Sequence, residues 1–150
     1  MNVLVKFFCQ AFFLLLAYFL VLVAPSASGL TIQEIEEEGG LIELDSGLRY
    51  KVMKAGSGPK PYADDYVAAH SQGPFLDGSV FDSSVQRGKP AIFAVNGVIR
   101  GWTEALQLMS VGSKWRLVIP PDLAYGERGM RGAIPPNATL IFEVELLSIK

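Results

Sequence analysis

Val98-Ile99-Arg100-Gly101-Trp102-Thr103-Glu104-Ala105-Leu106-Gln107-Leu108-Met109 is the stretch that decides the fold. Trp102, Leu106 and Met109 fall at i, i+4 and i+7, with Ala105 beside them. That is the apolar stripe of a short amphipathic helix over 102–109. The chain on either side keeps a two-residue period instead. Upstream, 48–53 alternates around Leu48, Tyr50 and Val52, and 66–71, 79–82 and 91–95 are further short strand candidates. Asp77-Gly78, between the second and third of these four, is a strong hairpin-turn signal. Downstream, Lys114–Ile119 sets Trp115, Leu117 and Ile119 against Lys114, Arg116 and Val118. Residues 139–149 form the longest strand candidate, β-branched and aromatic, with Glu143 and Glu145 on one alternate face. Pro120-Pro121 stops the 114–119 strand, and a loop with three glycines and two prolines fills 122–136. One helix among many short strands predicts an α+β domain, an antiparallel sheet packed over a single short helix. A loop this long in a small domain is uncommon and often functional.

Composition limits what such a domain can do. The chain has 150 residues and a net charge of −2, and setting aside Lys6 in the apolar leader leaves −3 for the rest. A mildly acidic domain has no broad electrostatic footprint for nucleic acid. The one cysteine, Cys9, lies in the leader, so the folded part has no internal disulfide, thiolate zinc site or cysteine nucleophile. His70 is the one histidine, so a His-rich metal site or a Ser–His triad must be built around it or not at all. Ser83-Ser84 nearby is more simply read as turn serines, and Asp64, Asp65 and Asp77 as solvated turn carboxylates.

The leader has one lysine, a long apolar run over 7–23, then Ala24-Pro25-Ser26-Ala27-Ser28-Gly29. This is the order of a secretory signal peptide, expected over 1–28. The apolar run also approaches the ~20 residues that span a bilayer, so an uncleaved signal-anchor fits as well. Either reading exports the domain to the secretory pathway, an organelle lumen or the periplasm. Membrane contact is expected only if the leader stays. Residues 29–47 are acidic and end in turn residues. They are expected to form a flexible lead-in with at most a frayed helical turn, too short for a dimerisation domain, and the folded domain is placed at 48–150.

Four blocks then narrow the reading. They are Asp77-Gly78-Ser79-Val80-Phe81-Asp82-Ser83-Ser84; Val98-Ile99-Arg100-Gly101-Trp102; Asp122-Leu123-Ala124-Tyr125-Gly126; and Ile134-Pro135-Pro136-Asn137-Ala138-Thr139-Leu140 with Phe142-Glu143-Val144-Glu145-Leu146-Leu147. In order and spacing they resemble the FKBP type of peptidyl-prolyl cis–trans isomerase, the tacrolimus-binding immunophilins. The lead-in Leu44-Asp45-Ser46-Gly47-Leu48-Arg49-Tyr50-Lys51-Val52 is most similar to the macrophage-infectivity-potentiator branch and its secreted or lumenal relatives. The resemblance implies a sheet half-wrapped around one short helix, with an apolar pocket between them. Trp102 would form the pocket floor, and Phe81, Phe93, Val98, Ile99, Tyr125, Ile134 and Phe142 its walls. The N–H of Ile99 and the hydroxyl of Tyr125 would bond substrate carbonyls. Asp82 would approach the proline imide, held by Arg87. Asp82, Tyr125, Phe81 and Trp102 are thus the expected catalytic set, and His70 would be structural. The implied partners are proline-containing polypeptides and tacrolimus-like macrolides, with no cofactor or metal and a monomeric state.

Two positions depart from that pattern. Ala69-His70-Ser71-Gln72-Gly73 stands where the family usually reads Val-His-Tyr-x-Gly, so Ser71 replaces an aromatic wall, and Ala91 stands where a second aromatic commonly lines the rim. An active isomerase assisting folding and a weakly catalytic module acting as chaperone or partner-binding domain both remain open. Retention of Phe81, Asp82, Arg87, Trp102 and Tyr125 favours the first. Asn137-Ala138-Thr139 is also a glycosylation sequon.

Overall fold

A computed structural model describes residues 32–74 and 80–150, without the side chains of Pro74 and residues 80–82. The leader and the expected Asp77-Gly78 turn lie outside the described residues. Nine main elements follow in order: α1 Ile32–Glu37, β1 Ile42–Glu43, β2 Arg49–Lys54, β3 Tyr66–Pro74, β4 Val80–Ser83, β5 Ala91–Ala94, α2 Arg100–Leu108, β6 Lys114–Ile119 and β7 Leu140–Ile149. The strands form one antiparallel sheet in the order β1-β2-β6-β7-β3-β4, with β5 also paired to β3.

β3 is the hinge of this topology. One edge pairs with β7 from Val67↔Ile149 to Gln72↔Glu143. The other edge is shared, with β5 from Tyr66↔Ala94 to Ala69↔Ala91 and then with β4 from Gln72↔Ser83 to Pro74↔Val80. Alternation along the strands puts Val67 and Ala69 of β3, Trp115, Leu117 and Ile119 of β6, and Phe142, Val144 and Leu146 of β7 into one core with Trp102, Ala105 and Leu106 of α2. A nine-residue helix is marginal by itself, so its apolar stripe against the sheet holds it. The Thr103 hydroxyl also donates to the Val95 carbonyl at 2.8 Å, tying the first turn to the chain just after β5.

The lead-in differs from its expectation. From Ile32 it is packed. Ile35 is fully buried against Val118 and Ile141 on the outer face of the sheet, and β1 pairs with β2. The acidic run is matched by bases across the strands. Arg49 meets Glu36, and Glu38 accepts from both Lys51 (3.2 Å) and Arg116 (2.9 Å). Arg116 also donates to Glu143 at 2.9 Å, and Lys114 reaches Glu143 at 2.8 Å. Charge composition alone suggested a solvated run; the partners are far away in sequence, and one apolar side chain, Ile35, fixes the docking.

These pairs set a pH dependence. Burial pushes the Glu143 carboxyl up, but the hydrogen bonds and charges of Lys114 and Arg116 outweigh it and hold it below the usual carboxylate range. The hydrogen bond from Lys51, and then the Arg116 charge, hold Glu38 low against its own desolvation. Carboxyls lowered by folding add stability that is full above their unfolded value, about 4.3 for glutamate, and is lost as pH falls through the folded value. The melting temperature is therefore expected to fall with acidification below about pH 5, and Glu143→Gln to flatten that limb. An identical acid limb in the variant shows that other groups carry it.

Candidate active site

Between α2 and the concave face of the sheet lies a cavity of about 510 Å3 lined by Ser71, Ala91, Phe93, Gly97, Val98, Ile99, Trp102, Tyr125 and Phe142. Its size is usual for small-ligand sites. The segment from β5 to α2 supplies six of the nine lining residues in one pass, Ala91 to Trp102. The Ile99 carbonyl accepts from Trp102 N–H (2.9 Å) and Thr103 N–H (3.1 Å), so it starts the helix and presents Trp102 from the first turn.

Trp102 is 7% exposed and stands between two rings. Phe142 meets it edge-on, with centroids 5.3 Å apart and planes at 89°, and Phe93 lies tilted at 5.5 Å. Such pairs add to area burial. Phe142 in turn packs on bare backbone: a Cβ on Gly73 would stand 2.5 Å from its ring. The glycine of the Ala-His-Ser-Gln-Gly run is thus required by the ring that walls the cavity. None of the described lining residues is Asp, Glu, Lys, Arg or His; among their side chains the polar groups facing the cavity are those of Ser71 and Tyr125, the Trp102 indole N–H being buried.

The serines beside His70 have a structural task. Ser84 is fully buried, and its hydroxyl accepts the Ser71 N–H at 2.8 Å and sits 3.1 Å from His70 Nδ1. The Ser84 N–H donates to the Ser71 carbonyl at 3.0 Å. The cluster clasps β3 to the end of β4 and leaves no open nucleophile. Among the described residues, no three His, Cys, Asp or Glu side chains gather as metal ligands would.

The family model described as FKBP-type peptidyl-prolyl cis-trans isomerase matches residues 58–147. The chain belongs to that family. It is 54% identical over 127 residues to the FKBP-type 22 kDa peptidyl-prolyl cis-trans isomerase of Escherichia coli, covering 84% of this chain and 62% of that protein. It is 53% identical over 111 residues to the outer membrane protein MIP of Legionella longbeachae, covering 74% and 48%. The crystal structure of FkpA from Escherichia coli superposes with a TM-score of 0.74 at 47% identity, over 79% of this chain and 55% of that one. These relatives place the chain in the Mip and FkpA branch, and the observed sheet with its one main helix is the FKBP architecture. The chain spans about half to three fifths of the length of these curated relatives.

Within this FKBP domain the expected site residues separate into three groups. Trp102, Tyr125, Phe93, Val98, Ile99 and Phe142 come together around the cavity. Phe81 and Asp82 lie on β4, where Asp82 pairs with Gly73, but their side chains lie outside the described ones. Ile134 and Arg87 are not among the nine described lining residues. Ile134, expected as a wall, is buried in the same core cluster as Trp102 and Phe142 and is hydrogen-bonded through its backbone to Met130. Arg87 is exposed in the turn after β4, where its N–H donates to the Ser83 carbonyl at 3.3 Å. Gly97 lines the cavity and was missed; Asn96-Gly97 is a turn signal that marks where the chain bends from β5 into α2. Ser71 and Ala91, noted as departures, both line the cavity.

Proposed function

We propose that the domain accelerates cis–trans rotation about X–Pro bonds in exported polypeptides. What carries this reading is a cavity rich in aromatic rings, floored by Trp102 and edged by Tyr125, in a chain of this family. The two isomers of an X–Pro bond differ by only about 0.5–1 kcal/mol. The barrier, ~18–20 kcal/mol, comes from the amide resonance that twisting destroys. No bond is made or broken, so neither nucleophile nor cofactor is needed. Rings that grip the pyrrolidine exclude water from the imide carbonyl, and water favours the planar, polar amide over the twisted one. The Tyr125 hydroxyl and the Ile99 N–H then hold the flanking carbonyls in a turn, and the family resemblance assigns the imide to Asp82 of β4. The cavity thereby complements the twisted state better than the planar one. Tacrolimus-like macrolides would occupy the same cavity.

The leader supports export, by a cleaved signal peptide or a retained anchor. Among the described residues no helix is long and apolar enough to cross a membrane. The small corner made by Ser71 and Ala91 favours the second reading, a binding module with weak turnover. Exchange measured on a proline tetrapeptide separates the two. Exchange at micromolar protein supports the enzyme, and none from a folded domain leaves the binding module.

Tyr125→Phe tests the edge of the site. The residue is half-buried and the change removes one hydroxyl. Stability is expected to stay within about 1 kcal/mol, with a several-fold loss in kcat/KM. A drop in melting temperature as large as that of a core deletion would make Tyr125 a packing residue.

A further inference from the structure

β5 is an edge strand, and it also walls the cavity. Among the described residues it pairs with β3 alone. The register fixes where each of its backbone groups points. Lys150 N–H donates to the Tyr66 carbonyl at 2.8 Å, so Tyr66 turns its backbone groups toward β7. Successive residues of a strand turn theirs to opposite sides, so Val67 and Ala69 face β5 and bond with Phe93 and Ala91. Val95 N–H, donating to the Asp65 carbonyl at 2.9 Å, keeps the same phase. The N–H and C=O of Ile92 and of Ala94 therefore point away from the sheet, and among the described residues no hydrogen bond reaches them. Residues 80–82, whose side chains are not described, pair at Gly73 and Pro74, roughly 15 Å further along β3 than Ala68, the partner of Ile92. The edge is apolar as well. Ala91-Ile92-Phe93-Ala94 has neither the charge nor the proline that usually keeps an edge from pairing. Ile92 is 62% exposed, and Tyr66, diagonal to it on the outer face, is 57% exposed.

Resting on the isomerase reading above, we infer that this edge is an extension of the site and takes one arm of the substrate polypeptide as an added strand. Continuity with the cavity fixes the occupant. Ala91 and Phe93 line the cavity, while Ile92 and Ala94, alternating with them, hold out the unpaired amides. A chain whose proline is seated against Phe93 has its next residues, beyond the turn, beside the same strand. Main-chain bonds carry such pairing, and sequence enters only through alternate side chains. One of these lands beside Ile92 and Tyr66, where an apolar or β-branched residue fits. The recognised class is therefore unfolded polypeptide that is extended and apolar on one side of the proline, as chains still folding are. A second copy paired through this edge would be held by a strand of four residues, far short of the about 20–30 a side of a stable interface.

The test follows exchange by NMR, without a coupling protease, on a proline tetrapeptide and on the same peptide extended by several alternating Val and Thr residues, before the proline in one version and after it in another. One extension is expected to lower KM about tenfold or more, with kcat within about twofold. N-methylation of alternate amides in that arm should erase the gain, and methylation of the intervening amides should leave it. Ile92→Pro deletes one outward N–H and no bond to β3, so it too should erase the gain while tetrapeptide turnover stays unchanged. Folding of the variant is checked by circular dichroism, and if it does not fold, the N-methylated series on the wild-type protein decides alone. Equal KM for all three peptides, or a gain that survives either the methylation series or a folded Ile92→Pro protein, overturns the added strand and leaves the isomerase standing. A dimer seen by sedimentation that Ile92→Pro dissolves assigns the edge to a second copy and overturns it as well. Exchange on none of the peptides overturns both readings.

Discussion

Trp102→Ala is expected to cost ~3–5 kcal/mol of stability and to abolish X–Pro exchange together. The two losses share one cause. Trp102 is buried at the point where α2, β5 and β7 meet, touching Phe93 on one side and Phe142 on the other. Truncation removes both ring contacts and leaves a void that Phe142 cannot close, because its other flank already rests on the backbone of Gly73. The floor of the cavity and part of the domain's core are the same side chain. Urea titration should show a lower midpoint with an unchanged m-value, since the folded and unfolded surfaces barely change. Trp102→Phe should recover most of the stability and part of the turnover. A Trp102→Ala protein that keeps its stability and loses only turnover would place the indole outside the core.

How far the sequence went depends on where each signal lay. The helix was legible because Trp102, Leu106 and Met109 repeat at helical spacing within eight residues, and β6 and β7 because Trp115, Leu117 and Ile119, then Phe142, Val144 and Leu146, alternate without interruption. Those patterns are local, and burial imposes them directly. The lead-in was misjudged for the opposite reason. Its four glutamates look solvated until pairing that no local window contains brings Arg49 opposite Glu36, and Lys51 and Arg116 opposite Glu38. The cavity-lining residues on the β5–α2 segment were found because motif and geometry coincide there. Ile134 shows the limit. Its motif marks it as apolar and near the site, but whether it faces the cavity or the core depends on the path of the long loop that holds it. Ser71 and Ala91 stood out as small residues in the sequence; their adjacency appears only in the β3–β5 register.

That loop carries the last expectation. Gly129→Ala is expected to be as damaging as a core truncation, lowering stability by about 3 kcal/mol and turnover at least tenfold. Gly129 sits at φ 59°, ψ −156°, a conformation open essentially to glycine. Space forbids a side chain as well: a Cβ would stand 2.3 Å from the Ile134 carbonyl oxygen and 2.7 Å from the Pro135 backbone. Neither obstacle is a flexible side chain, so the backbone itself must move. The segment that moves is closed on both sides of the substitution. Gly129 N–H donates to the Tyr125 carbonyl at 3.2 Å, and Met130 and Ile134 exchange backbone hydrogen bonds at 2.8 Å each. Displacing Gly129 therefore drags Tyr125, whose phenol edges the cavity, and loosens Ile134 from the core. The loss should appear in both observables, unlike that of Tyr125→Phe, which spares stability. Gly126→Ala is the control for positive φ alone. Gly126 has φ 58°, and a methyl group there would meet nothing within 4 Å, so it bears the backbone strain without the collision. It should lose no more than about 1–2 kcal/mol. Equal losses from the two would mean that strain alone, and not the close approach to Ile134 and Pro135, holds the loop against the site.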